Sequence, residues 1–481
     1  MTKSAKNLWV AVGLLTLVAL AVRIPGLRQS LFGDELFTYD TAAVGSVQDL
    51  FHAIRTTEVS PPLFFVIEWL VRKVGDAQVW LRLPSLVSGV ALIPVVYAVG
   101  RRLVGPAAAL VGAGLVALSP FLVWYSNEAR GYALLALLAA ASTWALLVAL
   151  ERGGFWRWAL VTVLIAAALL THYTAAFVLV AQVLWACAVR RDRIAAVLGS
   201  FAVAALIVAV WLPFAPGDNG AIAFLVKLTP NTIAREALRA GAGQPYANVS
   251  DLPGAVAFVA LALAGLTAVV GAAAAVRSGR ADRRLALVAL LAFATPVGVI
   301  VYSLFQPNIY VGRNLISSLP YLCLLVGALL AALPRPVAVA GVVLAAVGLG
   351  IALAKSFEQR YQRPDWKGVA AYLDRHVVNG DRVVELERFP VPSAPGRRPV
   401  NLRALQVHLA PSVRAVSVPG GDPRRLAAAG AGHRVLWVAD QQVGGVGGVP
   451  PTPPIGGGYV LAGRRVFDGL AQIALDRFER R

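Results

Sequence analysis

Apolar stretches of about 20 residues recur along this chain, each long enough to cross the hydrocarbon core of a bilayer. They fall at roughly 8–24, 79–100, 107–126, 129–150, 156–171, 173–190, 194–214, 253–276, 285–305, 314–333 and 336–355. Of 481 residues, 58% are hydrophobic and 14% charged, against roughly 25% charged in a soluble domain. The chain therefore reads as an α-helical polytopic membrane protein with about 11 transmembrane helices.

A further apolar segment, 61–74, is short and contains Glu68. It reads as a helix lying at the interface or packed partway into the bundle. Charge supports that choice. With the N-terminus inside and 61–74 not spanning, the inner loops carry Arg101-Arg102, Arg152, Arg157, Arg190 to Arg193, Arg277 to Arg284, and Arg335. The outer loops carry the acidic stretch 25–78, Asn127 to Arg130, Thr171 to Tyr173, the long 215–252 loop and Pro307 to Arg313. Lysine and arginine concentrate on one side, as the positive-inside rule requires. Loop placement also accounts for most of the net charge of +19, so nucleic acid is discounted as a partner.

Lys3 and Lys6 precede the first apolar run, but no small-x-small cleavage site follows, so the run reads as an uncleaved first span. Cys187 and Cys323 lie far apart in apolar segments and read as packing residues. The five histidines are scattered, with no metal-ligand spacing. We expect domains at 1–355 and 356–481, the first holding the acidic outer loop 25–78. The tail is polar, basic and rich in Pro and Gly. Its stretch from Asp365 reads as an amphipathic helix, Asp381 to Leu386 and Arg434 to Ala439 as strands, and 444–458 as a loose loop. A small α/β extracytoplasmic domain is expected there.

The unusual polar residues of this apolar chain gather on the outer side. Asp34 and Glu35 follow the first span in Gly-Asp-Glu-Leu-Phe-Thr-Tyr, where a desolvated carboxylate is costly without a purpose. Glu58 precedes Pro61-Pro62, a rigid entry to the next helix; it reads equally as a charge at that helix's start. Arg130 opens a span in Glu-Ala-Arg-Gly-Tyr, and Tyr310 and Arg313 lie in Tyr-Val-Gly-Arg-Asn-Leu before another. Arginines there sit on the side disfavoured for them and suit a phosphate. His172-Tyr173 interrupts an apolar run, reading either as a polar helix tip or as a sugar contact.

Taken in order, the Asp-Glu pair, Glu-x-x-Pro-Pro-Leu, Ala-Arg-x-Tyr and Arg-Asn-Leu-Ile-x-x-Leu-Pro resemble the GT-C membrane glycosyltransferases. The branch most resembled includes protein O-mannosyltransferase-like enzymes and lipid A aminoarabinose or galacturonic acid transferases, and the likeness covers about residues 20 to 330. It implies a plasma-membrane enzyme, acting on the extracytoplasmic face, that moves a sugar from a polyprenyl-phosphate donor to an acceptor; the residues themselves indicate no cofactor and leave a divalent cation open. Asp34 would be the base, Arg313 and Arg130 would hold the phosphate, and Glu58 would position acceptor or sugar. Glu35 would orient the loop, and His172, Tyr173 and Tyr310 would line the substrate. Ser60 stands where many relatives carry a basic or imidazole side chain. The alternatives are a flippase for such a lipid, which would bind near the midplane on broken helices, and a non-catalytic envelope scaffold.

Overall fold

The computed structural model describes residues 3–75, 78–215, 227–247, 251–387, 404–441 and 448–481. The long outer loop 215–252 and the Gly- and Pro-rich run 444–458 fall partly outside the described residues.

From the N-terminus, α1 (Lys3–Arg23) is followed by three short helices, α2 (Asp34–Ala42), α3 (Val47–Thr57) and α4 (Leu63–Arg72). Next come α5 (Gln78–Leu103), α6 (Pro106–Leu118), α7 (Pro120–Tyr125), α8 (Tyr132–Arg152), α9 (Phe155–Thr171), α10 (Ala175–Val189) and α11 (Ile194–Ala209). Then follow α12 (Pro230–Ala242), α13 (Ala255–Arg277), α14 (Arg283–Phe305), α15 (Leu319–Ala331) and α16 (Arg335–Ser356). Seven of these, α1, α5, α8, α11, α13, α14 and α16, are long and apolar enough to cross a membrane, α1 and α11 with their adjoining 3-10 turns. Four more apolar helices, α6, α9, α10 and α15, are shorter. The eleven coincide with the eleven apolar stretches of the sequence. Helix α4 has 10 residues, about 15 Å at 1.5 Å per residue, half the hydrocarbon thickness. It buries Phe64, Phe65, Glu68 and Trp69.

Helix α6 is short because Ser119-Pro120 interrupts it. Pro120 cannot donate to the ladder and instead opens α7, capped by Ser119 Oγ accepting from Leu122 N. The break frees carbonyls that an apolar environment would leave unsatisfied. Arg23, fully buried, supplies the donors: its guanidinium reaches Ala117 O at 3.2 Å, Val116 O at 3.5 Å and Ser126 Oγ at 3.0 Å. Where α6 meets α15, glycines permit close approach. A Cβ on Gly327 would stand 2.5 Å from Ala108 O, and one on Gly112 would stand 2.9 Å from Leu324 Cα.

The chain divides into two compact units. One comprises Met1–Leu27, Thr41–Pro245 and Val249–Ala354; the other comprises Arg28–Asp40, Tyr246–Asn248 and Lys355–Arg481. In the second, α17 (Trp366–His376) leads to β1 (Arg382–Glu387), β2 (Ala415–Pro419), α18 (Pro423–Ala429), β3 (Val435–Gln441), β4 (Tyr459–Phe467) and β5 (Ile473–Arg480). The sheet order is β2-β1-β3-β5-β4, with β1 parallel to β2 and β3, and β5 antiparallel to β3 and β4. Val384, Leu386, Val418, Leu426, Leu436, Val438, Tyr459 and Phe478 form one core. The expected α/β tail is thus present: the helix from Asp365, whose carboxylate caps Gly368 N, and both expected strands are where the periodicities put them.

Within that unit Asp476 on β5 is fully buried, with Arg464 Nε of β4 at 3.5 Å. Burial pushes its carboxyl up to about 6, Arg464 pulling it back and Asp440 pushing it further. An unfolded Asp titrates near about 3.9. The native state therefore holds the extra proton between those values, and its contribution is full below about pH 3.9 and lost as pH rises through about 6. We expect the unit to unfold at a lower temperature at about pH 7.5 than at about pH 5, with a loss of at most about 1.5 kcal/mol, since about one pH unit of the window lies above pH 5. Asp476→Asn should flatten that slope in thermal melts; an undiminished slope would assign it to other groups.

Candidate functional site

The expected site residues fall in two groups, one in each unit. Asp34 and Glu35 open α2 in the second unit, just after Gly33, whose φ of 56° is the left-handed conformation that glycine adopts without strain. Their environments differ. Glu35 is fully buried; its Oε2 accepts from Phe32 N at 3.2 Å and pairs with Arg363 Nε at 3.2 Å. Asp34 is half-buried, in the first turn of α2.

The first unit gathers Glu58, Arg130, His172 and Arg313. Glu58 ends α3, with its backbone N–H donating to Ile54 O. Its side chain is not at a helix start: Oε2 accepts from Arg130 Nη1 at 2.8 Å, and Oε1 from Thr41 Oγ1 at 3.3 Å. Both members of this ion pair are at least nine-tenths buried. Arg130 also lies over the Phe65 ring, 5.3 Å from its centroid, and its carbonyl accepts from Ser85 Oγ. The sequence separation, 72 residues, hides this pairing from any local pattern.

His172 caps the end of α9. Thr174 N donates to its Nδ1 at 3.3 Å, and Thr174 Oγ1 is 2.9 Å from the same atom. Burial, then the charges of Arg130 and Arg313, lower its pKa to about 3. The ring is thus neutral at physiological pH, and with Nδ1 accepting, the ring proton is on Nε2. Two arginines far apart in sequence therefore act on one imidazole. Neighbouring Tyr173 is engaged elsewhere: its hydroxyl accepts from Trp211 Nε1 at 3.2 Å, tying the start of α10 to the end of α11.

Arg313 is half-buried on a single 3-10 turn, Gly312–Leu315. That turn is held from two sides. Asn314 Nδ2 donates to Ile309 O at 2.8 Å, and Gly312 N donates to Glu236 Oε2 at 3.0 Å. The other Glu236 oxygen accepts from Arg239 Nη1 at 2.8 Å and lies 3.3 Å from Arg235 Nε. Burial and the Glu236 charge raise the pKa of Tyr310, which is buried beside it. Glu236 was not among the sequence candidates. The signal was present in Pro-Asn-Thr-Ile-Ala-Arg-Glu-Ala-Leu-Arg, an amphipathic pattern with a Thr N-cap, inside a stretch read only as a long loop.

The fold these elements build is similar to that of ArnT, a likeness that runs over nearly the whole chain. Residues 59–216 match a family model described as Dolichyl-phosphate-mannose-protein mannosyltransferase, a range that includes Arg130, His172 and Tyr173. The apo structure of ArnT from Cupriavidus metallidurans aligns at TM-score 0.57 and 14% identity, over 91% of this chain and 93% of that one. ArnT bound to undecaprenyl phosphate aligns at 0.56 and 13%, over 97% and 98%. The oligosaccharyltransferase AglB from Archaeoglobus fulgidus, in complex with an inhibitory peptide and a dolichol-phosphate, aligns at 0.50 and 11%, over 92% and 70%. At these identities the likeness is one of fold. No curated protein sequence matches the chain.

Proposed function

We propose that this membrane protein is a glycosyltransferase that moves a sugar from a polyprenyl phosphate to an extracytoplasmic acceptor. The observation that carries the reading is the division of labour between two adjacent carboxylates. Glu35 is buried and ion-paired, while Asp34 stays half-exposed at the head of α2. A base must reach its proton, and of the two Asp34 is the more exposed. The phosphate-bearing lipid is suggested by the undecaprenyl phosphate in the ArnT structure and by the donor in the family model's description.

In this reading the acceptor oxygen attacks the anomeric carbon as the bond from that carbon to the phosphate oxygen breaks. The bonding pair leaves with the phosphate, and the acceptor proton passes to Asp34. Attack opposite the leaving group inverts the anomeric centre. A phosphate leaves without a protonating partner, so no second carboxylic acid is required, unlike the carboxylate pair of a glycosidase. Arg313 offsets the charge growing on the phosphate. Arg130, paired with Glu58, adds less net charge and serves as a fixed donor. His172, neutral, offers its Nε2 proton to a sugar hydroxyl or a phosphate oxygen.

A panel of labelled undecaprenyl-phosphate pentoses and hexoses, presented to the reconstituted protein with cell-envelope acceptors, tests the reading. Label should move to an acceptor, and Arg313→Ala should raise the donor KM about tenfold or more. A donor dependence unchanged in Arg313→Ala would remove the phosphate role from that residue. Movement of intact donor across the bilayer without transfer would point to a flippase.

A further inference from the structure

The acidic stretch does not end with its two carboxylates. Residues Arg28–Asp40 fold as part of the unit formed by the tail, and one short segment of that tail, 362–367, holds them through six contacts. Arg363 Nε pairs with Glu35 Oε2 at 3.2 Å, and its Nη1 and backbone N donate to Gln29 Oε1 at 3.1 and 3.2 Å. The Gln29 amide in turn donates to Gln362 Oε1. Lys367 N donates to Ser30 Oγ at 3.0 Å, and its Nζ to Arg28 O at 2.8 Å.

The segment is itself anchored to the sheet. Trp366 Nε1 donates to Gln441 Oε1 of β3 at 3.0 Å, and Leu470 N donates to Gln362 O at 2.8 Å. Asp365 caps α17 through Gly368 N. At Gly469 a Cβ would stand 2.9 Å from Pro364 Cα, so the backbone there packs directly on the segment. A line of contacts thus runs from the sheet through 362–367 to the turn before α2.

We propose that this segment is a clamp for the catalytic loop, with Arg363 a positioning residue that locks Glu35 and so fixes where Asp34, one residue earlier, presents its carboxylate. The proposal rests on the reading of Asp34 as the base. It assigns the tail a role in catalysis that requires no contact with donor or acceptor. The physical case lies in the ion pair: the Glu35 and Arg363 side chains are 0% and 2% exposed. Two long side chains desolvated to this degree hold one geometry, whereas a surface pair would be loose. A base displaced by about 1 Å loses about a hundredfold in rate.

Removing one charge leaves the other buried without this counter-charge and can unfold the unit, so the test uses the neutral pair Glu35→Gln/Arg363→Gln beside Arg363→Lys. Hydrogen exchange of the full-length protein needs no donor. Amides of residues 32–39 should exchange about tenfold or more faster in the neutral pair, with the rest of the tail unchanged. With whichever labelled undecaprenyl-phosphate sugar the wild type uses, kcat should fall about a hundredfold while the donor KM stays within about twofold. Arg363→Lys, which keeps the charge and loses the fork, should fall between. Unaltered exchange at 32–39, or a wild-type kcat, overturns the clamp. The two proposals separate cleanly. An active Asp34→Asn would discard the base and with it the positioning role, whatever the neutral pair does; an inactive Asp34→Asn beside a fully active neutral pair would keep the base and discard the clamp.

Discussion

Asp34→Asn is expected to lower kcat by about a thousandfold or more while leaving membrane insertion, melting temperature and donor KM near wild type. Asparagine keeps the shape of the side chain and its ability to accept at the head of α2, but cannot take a proton. General bases contribute about 10² to 10⁴ in rate. Asp34 is half-buried rather than packed, so little stability rides on it. The measurement is single-turnover transfer from the labelled donor, with exchange or thermal unfolding as the check on folding. Full activity in the variant would end the assignment. A drop shared equally between kcat and donor affinity would recast Asp34 as a binding residue.

The second large effect is expected at Glu58→Gln. The Glu58–Arg130 pair is buried on both sides, with the carboxylate also accepting from Thr41. Neutralising Glu58 removes a counter-charge from the buried guanidinium, which lies over Phe65, a loss of about 3–5 kcal/mol. The double variant Glu58→Gln/Arg130→Gln should lose less than the sum of the two single changes, since no charge is stranded. If Arg130 also meets the donor's phosphate, added undecaprenyl phosphate should raise the melting temperature of Glu58→Gln by more than that of wild type. Equal rises would leave Arg130 with a structural role alone.

The Glu58 effect arises from a pairing that no local pattern announces. The sequence places Glu58 and Arg130 in separate outer loops and offers a helix-start role or acceptor contact for one and a phosphate for the other. The fold joins them to each other first. Glu35 likewise reads as an orienting residue, which fits its burial, but its partner Arg363 lies in a tail whose sequence matched no family motif. Glu236 was hidden by a different cause. Its helix α12 is too short and too polar to read as a span, so the stretch looks like loop, and its target, Gly312 N, is a backbone group with no signature at all.

What the sequence by itself determined is the architecture of the membrane part. Eleven apolar segments, a twelfth too short to cross, and the helix and two strands at the start and middle of the tail are all legible, because bilayer thickness and backbone periodicity act on contiguous residues. Tertiary structure alone decided which charges neutralise which: Glu58 with Arg130, Glu35 with Arg363, Glu236 beneath the Arg313 turn, and a neutral His172 in the field of two arginines. An ion pair in a low-dielectric interior depends on distances between segments far apart in the chain, and those distances exist only once the helices have packed.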